Sequence, residues 1–143
     1  MKVSIFGVLV GGVVDVVSSV LGGLPFALYS TFRLAPSQRV GPHSSDAVSA
    51  AIHGNLPLHS AQLAVGLLCS ILGGYVAAAI AKRHERLNGT LSCYLCVGMS
   101  IPVMLLGLDK DPLWLQAILL IASPATAFLG GDIRFRQRLA TIA

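Results

Sequence analysis

Apolar residues fall in four long blocks along the chain, separated by short breaks of charge and proline. The first block runs from Val3 to about Leu24 and stays apolar past Pro25 to Phe32, with Asp15 its only charged residue. The others run from about Ala61 to Ala81, Leu91 to Leu108 and Leu113 to Gly131, and none of them holds a charge. A hydrocarbon core of about 30 Å takes about 20 apolar residues at 1.5 Å of rise each, with a working range of about 17–25. Each block therefore predicts a transmembrane helix, because lipid offers the backbone no hydrogen-bond partner and a helix supplies its own. Stop signals bound them: Pro25 and Pro36, then Lys82-Arg83-His84-Glu85-Arg86, then Asp109-Lys110-Asp111-Pro112, then Asp132 and Arg134. The pattern predicts an all-α chain, one four-helix transmembrane bundle over 1–143. Its spans lie at about 3–24, 61–81, 91–108 and 113–131, with an outer loop at about 33–59.

The first block also invites reading as a cleaved signal peptide, with Lys2 ahead of it and Gly22-Gly23 behind. A signal core is typically about 7–15 apolar residues. This block is longer and holds Asp15, so a retained helix is expected.

Composition narrows the class. The chain has 143 residues, 55% of them hydrophobic and 11% charged, with a mean hydropathy of +0.78. Soluble domains carry about 25% charged residues, so there is too little charge here to clothe a water-facing surface. Disorder is excluded by the opposite argument, since disordered segments are poor in apolar residues. The placement of Lys and Arg sets the orientation. Seven fall on one side (Lys2, Lys82, Arg83, Arg86, Arg134, Arg136, Arg138) and three on the other (Arg33, Arg39, Lys110). Both termini are thus expected in the cytoplasm, with the protein in the cell (inner) membrane. Tyr29, Phe32 and Trp114 fall at the expected outer boundaries and Tyr94 near the inner one, where amphipathic rings anchor helices.

Within lipid, helices associate through close packing of small residues. The first helix carries Gly7, Gly11, Asp15, Ser19 and Gly23 at four-residue spacing, which places them along one face. The second carries Gly66, Ser70, Gly74 and Ala78, with Gly73, Ala77 and Ala81 beside them, and the fourth carries Ala122, Thr126 and Gly130. These stripes predict a tight bundle with the first two helices in close contact.

Asp15 is the most informative position. A carboxylate deep in a span costs about 2.5–3.5 kcal/mol on insertion scales, and such groups face a bundle interior or a watery cavity. No basic residue occurs in any block to pair with it, so its expected partner is a hydroxyl. Ser18 and Ser19 are local candidates; Ser70, Ser100 and Thr126 lie on other helices. Two readings follow: a proton or ion site built on Asp15 and Ser19, or a protonated acid that serves as glue between helices.

Other chemistry is thin. Cys93 and Cys96 make a C-x-x-C, which in a redox enzyme needs an exposed, activated thiolate. Here it sits near the reducing inner boundary, so small packing residues are the first reading. His43, His53 and His59 share the outer loop with Asp46. Imidazole and carboxylate suit zinc, but the spacing matches no ligand pattern. Solvated histidines beside a short surface helix starting at Ser44 or Ser45 are expected, with no metal. Phosphate-binding loops and nucleophile elbows are missing from the sequence. The basic clusters Lys82–Arg86 and Arg134–Arg138 are topology determinants that can touch anionic headgroups, not a nucleic-acid surface. No cofactor is expected.

The stretch Leu72-Gly73-Gly74-Tyr75-Val76-Ala77-Ala78-Ala79-Ile80-Ala81-Lys82-Arg83, followed by Leu87-Asn88-Gly89, resembles a motif of small bacterial four-helix membrane proteins of unknown function. Gly7-Val8-Leu9-Val10 with Asp15 and Ser19, and Leu129-Gly130-Gly131, look similar too. The resemblance implies the fold and brings no activity with it. The leading expectation is a non-enzymatic integral membrane protein in the lipid bilayer, packing with a second copy or a membrane-protein partner through its small-residue faces. The alternative is a proton- or cation-coupled small transporter using Asp15. That reading resembles in general plan the small multidrug-resistance proteins, which have a carboxylate in their first helix; this chain has a longer outer loop and no aromatic box in its spans. A membrane thiol oxidoreductase using Cys93 and Cys96 stands third.

Overall fold

A computed structural model describes residues 3–34, 44–82, 84–106 and 112–142. Five helices lie among them: α1 (Ile5–Arg33), α2 (Ser44–His53), α3 (Leu56–Ala81), α4 (Glu85–Leu105) and α5 (Leu113–Ile142). No strand occurs among the described residues. Lys2, Pro36, Arg39, His43, Arg83, Asp109, Lys110 and Asp111, all invoked above, lie outside them.

Local chemistry explains the helix ends. The Ser4 hydroxyl accepts the Gly7 N–H at 3.2 Å and opens α1, satisfying a donor that every helix start leaves open. Asn55 does the same for α3 through Leu58 N–H at 3.3 Å, with Pro57 in the first turn, where its missing N–H costs nothing. α1 does not stop at Pro25. It runs to Arg33 with the proline inside it, and the ring only deprives one carbonyl a turn earlier of its bond. Between α3 and α4 the chain turns through two left-handed residues, Lys82 (φ 53°) and His84 (φ 48°). Non-glycine residues hold that conformation only when neighbours impose it. Here Arg138 Nη1 donates to the Lys82 carbonyl at 2.6 Å and Asn88 Nδ2 to the His84 carbonyl at 3.0 Å.

α3 is the central rod, in contact with α1, α2, α4 and α5. Its neighbours reach it through backbone. A methyl built on Gly11 would lie 2.5 Å from Ala77 Cβ and 2.7 Å from the Gly73 carbonyl oxygen; one on Gly73 would lie 2.7 Å from Asp15 Cβ. On the far side of α3, a methyl on Gly74 would collide with the Ala127 carbonyl, and one on Gly130 with the Ile71 carbonyl. Burial is correspondingly inverted relative to a protein in water. The buried apolar residues are Ile52, Ala77, Ala78, Cys93 and Ala127, while Phe6, Phe32, Leu56 and Ile121 are each about 70% exposed. Buried polar groups (Asp15, Ser30, Ser70, Glu85, Asn88, Ser92) join those small residues inside. Small and polar inside with large and apolar outside is the arrangement that suits a lipid surround.

One expectation is corrected. Among the described residues three helices, α1, α3 and α5, are long and apolar enough to cross a membrane, and α4 is not among them, so the fold is not a clean four-helix bundle. The physical reason lies in the first two turns of α4, where Glu85, Arg86, Asn88, Thr90 and Ser92 lower its mean hydropathy. The boundaries also shift. The second block begins earlier, at Leu56, and the fourth continues past Gly131 to Ile142. That continuation is tied to α4: Asp132 accepts from Arg86 at 2.7 Å and from Arg136 at 2.7 Å, and Arg138 donates to Glu85 at 3.1 Å.

Candidate functional site

Asp15 is 1% exposed, just over a third of the way along α1. Its depth in the bundle follows from Gly73, whose missing side chain lets the Asp15 backbone press against α3. There the Ser70 hydroxyl reaches both carboxyl oxygens, at 3.1 and 3.3 Å. From α4, Cys96 lines the same cleft as the carboxyl group. Three helices thus converge on one acid.

A cleft lies beside the acid. It has a volume of about 600 Å³, is bounded by α1, α3, α4 and α5 and reaches to the α2 end of the bundle. Ser19, Ser70, Cys96, Ser100 and Ser123 give the wall its polar points at the Asp15 level, and Val16, Val20, Leu63, Leu67 and Leu119 give it apolar ones. At the other end stand His53, His59 and Gln62. The two imidazole centroids are 4.8 Å apart. His59 and Ser70 are eleven residues apart on α3, roughly 16 Å of helix rise. Among the described residues no lysine or arginine lines the cleft. Volumes of about 300–1,000 Å³ are usual for small-ligand sites.

The residues singled out from sequence separate into two groups. Gly7, Gly11, Gly74 and Ala78 are buried between helices of this one chain. Gly23 and Gly66 have open space where a side chain would be, and both line the cleft. Ser19 lines it a turn from Asp15. Of the candidate hydroxyl partners, Ser70 meets Asp15, whereas Thr126 is turned to the Ala122 and Ser123 carbonyls of its own helix. Cys93 is fully buried and its thiol points to the Thr90 carbonyl at 3.1 Å, unlike the exposed thiolate that exchange chemistry needs. Among the described residues no group of three His, Cys, Asp or Glu comes together to hold a metal.

Three members of the site escaped sequence reasoning. Cys96 was grouped with Cys93 by the C-x-x-C spacing, although Cys96 and Ser100, four apart, share a helix face and both meet the cleft. His53 and His59 were read as solvated loop residues, yet His53 ends α2 and His59 stands in the first turn of α3, which brings them together. Comparison with protein-family models, curated proteins and solved structures returns no match for this chain.

Proposed function

We propose that this chain is a multi-pass protein of the inner membrane that moves protons or small cations, with Asp15 as the group that binds and releases them. In this reading all four long helices cross the bilayer, both termini lie in the cytoplasm, and the cleft opens to the outer side. The observation that carries it is a carboxyl group buried among three helices that borders a cavity of about 600 Å³, lined by no lysine or arginine among the described residues. Ser70 supports an exchange role, because a hydroxyl can donate to the carboxylate and accept from the acid. The walls suit a cation by charge and a small one by size.

Assembly through the small-residue faces ranks second. Gly11, Gly73, Gly74 and Gly130 are already filled by other helices of the same chain, so those faces are spent before a partner arrives. No covalent chemistry is proposed.

The test is flux. Purified protein in liposomes, with an entrapped pH-sensitive dye and tetramethylammonium offered against a pH gradient, should move protons faster than empty liposomes. Asp15→Asn keeps the shape and an acceptor oxygen for Ser70 but cannot titrate, and should return flux to the empty-liposome rate. Wild-type flux in Asp15→Asn would overturn the proposal.

A further inference from the structure

The turn between α3 and α4 and the last turns of α5 gather charge at one end of the bundle. Among the described residues Lys82, Arg86, Arg134, Arg136 and Arg138 stand there against two carboxylates, Glu85 and Asp132. Asp132 accepts Arg86 Nε on Oδ1 and Arg136 Nε on Oδ2, both at 2.7 Å, and Arg86 Nη2 adds a contact to Oδ1 at 2.6 Å. The Asp132 side chain is 13% exposed and those of Arg86 and Arg136 are 48% and 77% exposed. The carboxylate thus lies beneath two guanidinium groups that cover it. Arg86 is fixed from a second side, 4.6 Å above the Phe135 ring. Bonding through Nε leaves the Nη donors of Arg136, the more exposed of the two, for another anion.

We propose that the arginine pair held by Asp132 is a binding site for the phosphate of an anionic phospholipid. Charge favours it, because one carboxylate shared by two guanidinium groups leaves an uncompensated positive charge. Shape favours it as well, since the planar guanidinium fork matches phosphate oxygens bidentately. Asp132 is the positioning residue, holding side by side two like charges that would otherwise drift apart. What favours a lipid over a free phosphate ion is the rest of α5. That helix is long and apolar enough to cross a membrane, and the pair lies just past its apolar stretch, where basic pockets between helices meet headgroups. Arg136, Ile133 and Leu129 follow one another at three- and four-residue steps on one face of α5. Ile133 and Leu129 are both exposed, and Leu129 lies about 10 Å of rise from Arg136. A phosphate seated on the arginines therefore has its acyl chains alongside apolar side chains, which a free ion cannot use. The site is separate from Asp15 and does not rest on its reading.

Lipid selectivity tests it. The purified chain in detergent is offered phosphatidylglycerol and phosphatidylcholine of the same acyl length in equal amounts, and native mass spectrometry reads which is bound. The parent should hold phosphatidylglycerol in preference, and Arg136→Gln should cut the ratio by about fivefold, the effect of one basic charge at a headgroup. Two further variants separate a built site from diffuse charge. Arg136→Lys keeps the charge and loses the fork, while Asp132→Asn adds a net positive charge to this end and releases both arginines. Both should lower the ratio, whereas a diffuse basic surface would leave the first unchanged and raise the second. An even ratio in the parent, the parent ratio in either Arg136 variant, or a ratio not lowered in Asp132→Asn would each overturn the proposal. Arg136 variants leave the Arg86–Asp132 tie between α4 and α5 in place, so they report even if Asp132→Asn fails to fold, which circular dichroism checks. Inorganic phosphate added in excess should leave the lipid bound; release of phosphatidylglycerol from the parent would assign the site to the free ion and overturn the lipid assignment. Asp15→Asn should keep the parent ratio, so its silence in the liposome assay would remove the transport reading alone.

Discussion

The Asn88 side chain accepts the backbone N–H of Ser4 at 2.9 Å, across 84 positions of sequence. One residue of α4 thereby completes the N-terminus of α1, and its amide nitrogen donates to the His84 carbonyl at 3.0 Å. It is fully buried. Removing one partner of a buried hydrogen bond costs about 1–3 kcal/mol. Asn88→Ala should therefore lower the thermal unfolding midpoint, followed by circular dichroism in detergent, more than Ser4→Ala, which removes a cap worth about 0.5–2 kcal/mol. Equal midpoints for Asn88→Ala and the parent would show that the α1–α4 tie contributes nothing.

The glycines divide by what a methyl would strike. At Gly74 and Gly130 it would strike backbone of the facing helix, at Ala127 and Ile71, and backbone cannot rotate away. Overpacking of this kind costs about 1–3 kcal/mol or more. At Gly23 and Gly66 nothing lies within 4 Å, and alanine in a helix interior is favoured over glycine by roughly 0.5–1 kcal/mol. Gly74→Ala and Gly130→Ala should melt earlier than the parent, and Gly23→Ala and Gly66→Ala at the same temperature or slightly later. Gly73→Ala has a double effect: its methyl would meet Asp15 Cβ at 2.7 Å, so it should disturb both stability and liposome flux. A melting order that ignored this division would refute the packing described.

Much of this was legible beforehand, and the reasons are physical. A stripe of Gly7, Gly11 and Asp15 at four-residue spacing has one geometric meaning on a helix, so the contact with α3 could be read from it. A polar group in an apolar block needs a partner, and Ser70 was among the few hydroxyls that could reach Asp15. The register between helices was not legible, because small residues recur along every rod and any of several offsets would bury them. That register decides that Cys96 lines the Asp15 cleft while Cys93 is turned to its own backbone. It also decides that Gly23 and Gly66 open on a cavity instead of on each other. The pairing of His53 with His59 depended on a short turn at Gly54-Asn55, whose conformation composition does not reveal. Asn88 drew no reading as a partner of α1, because Ser4 lies 84 positions away.

Topology is the last expectation to test, and α4 decides it. Its 21 residues rise about 32 Å, enough to cross a bilayer, yet its mean hydropathy is reduced by a polar first half. Three of those polar residues do not face lipid: Glu85, Asn88 and Ser92 are buried against other helices, while Tyr94, Met99 and Ile101 are exposed. A scale that averages around the helix penalises groups that the neighbouring helices already satisfy, whereas insertion beside α3 and α5 exposes the bilayer only to the apolar side. Crossing by α4 makes four spans and leaves both termini on one side. Omission of α4 makes three and leaves them on opposite sides. Fusing a reporter active only in the cytoplasm to each end in turn should therefore give activity from both fusions. Activity from one fusion alone would remove α4 from the membrane, and with it the four-span architecture on which an outward-opening Asp15 cleft depends.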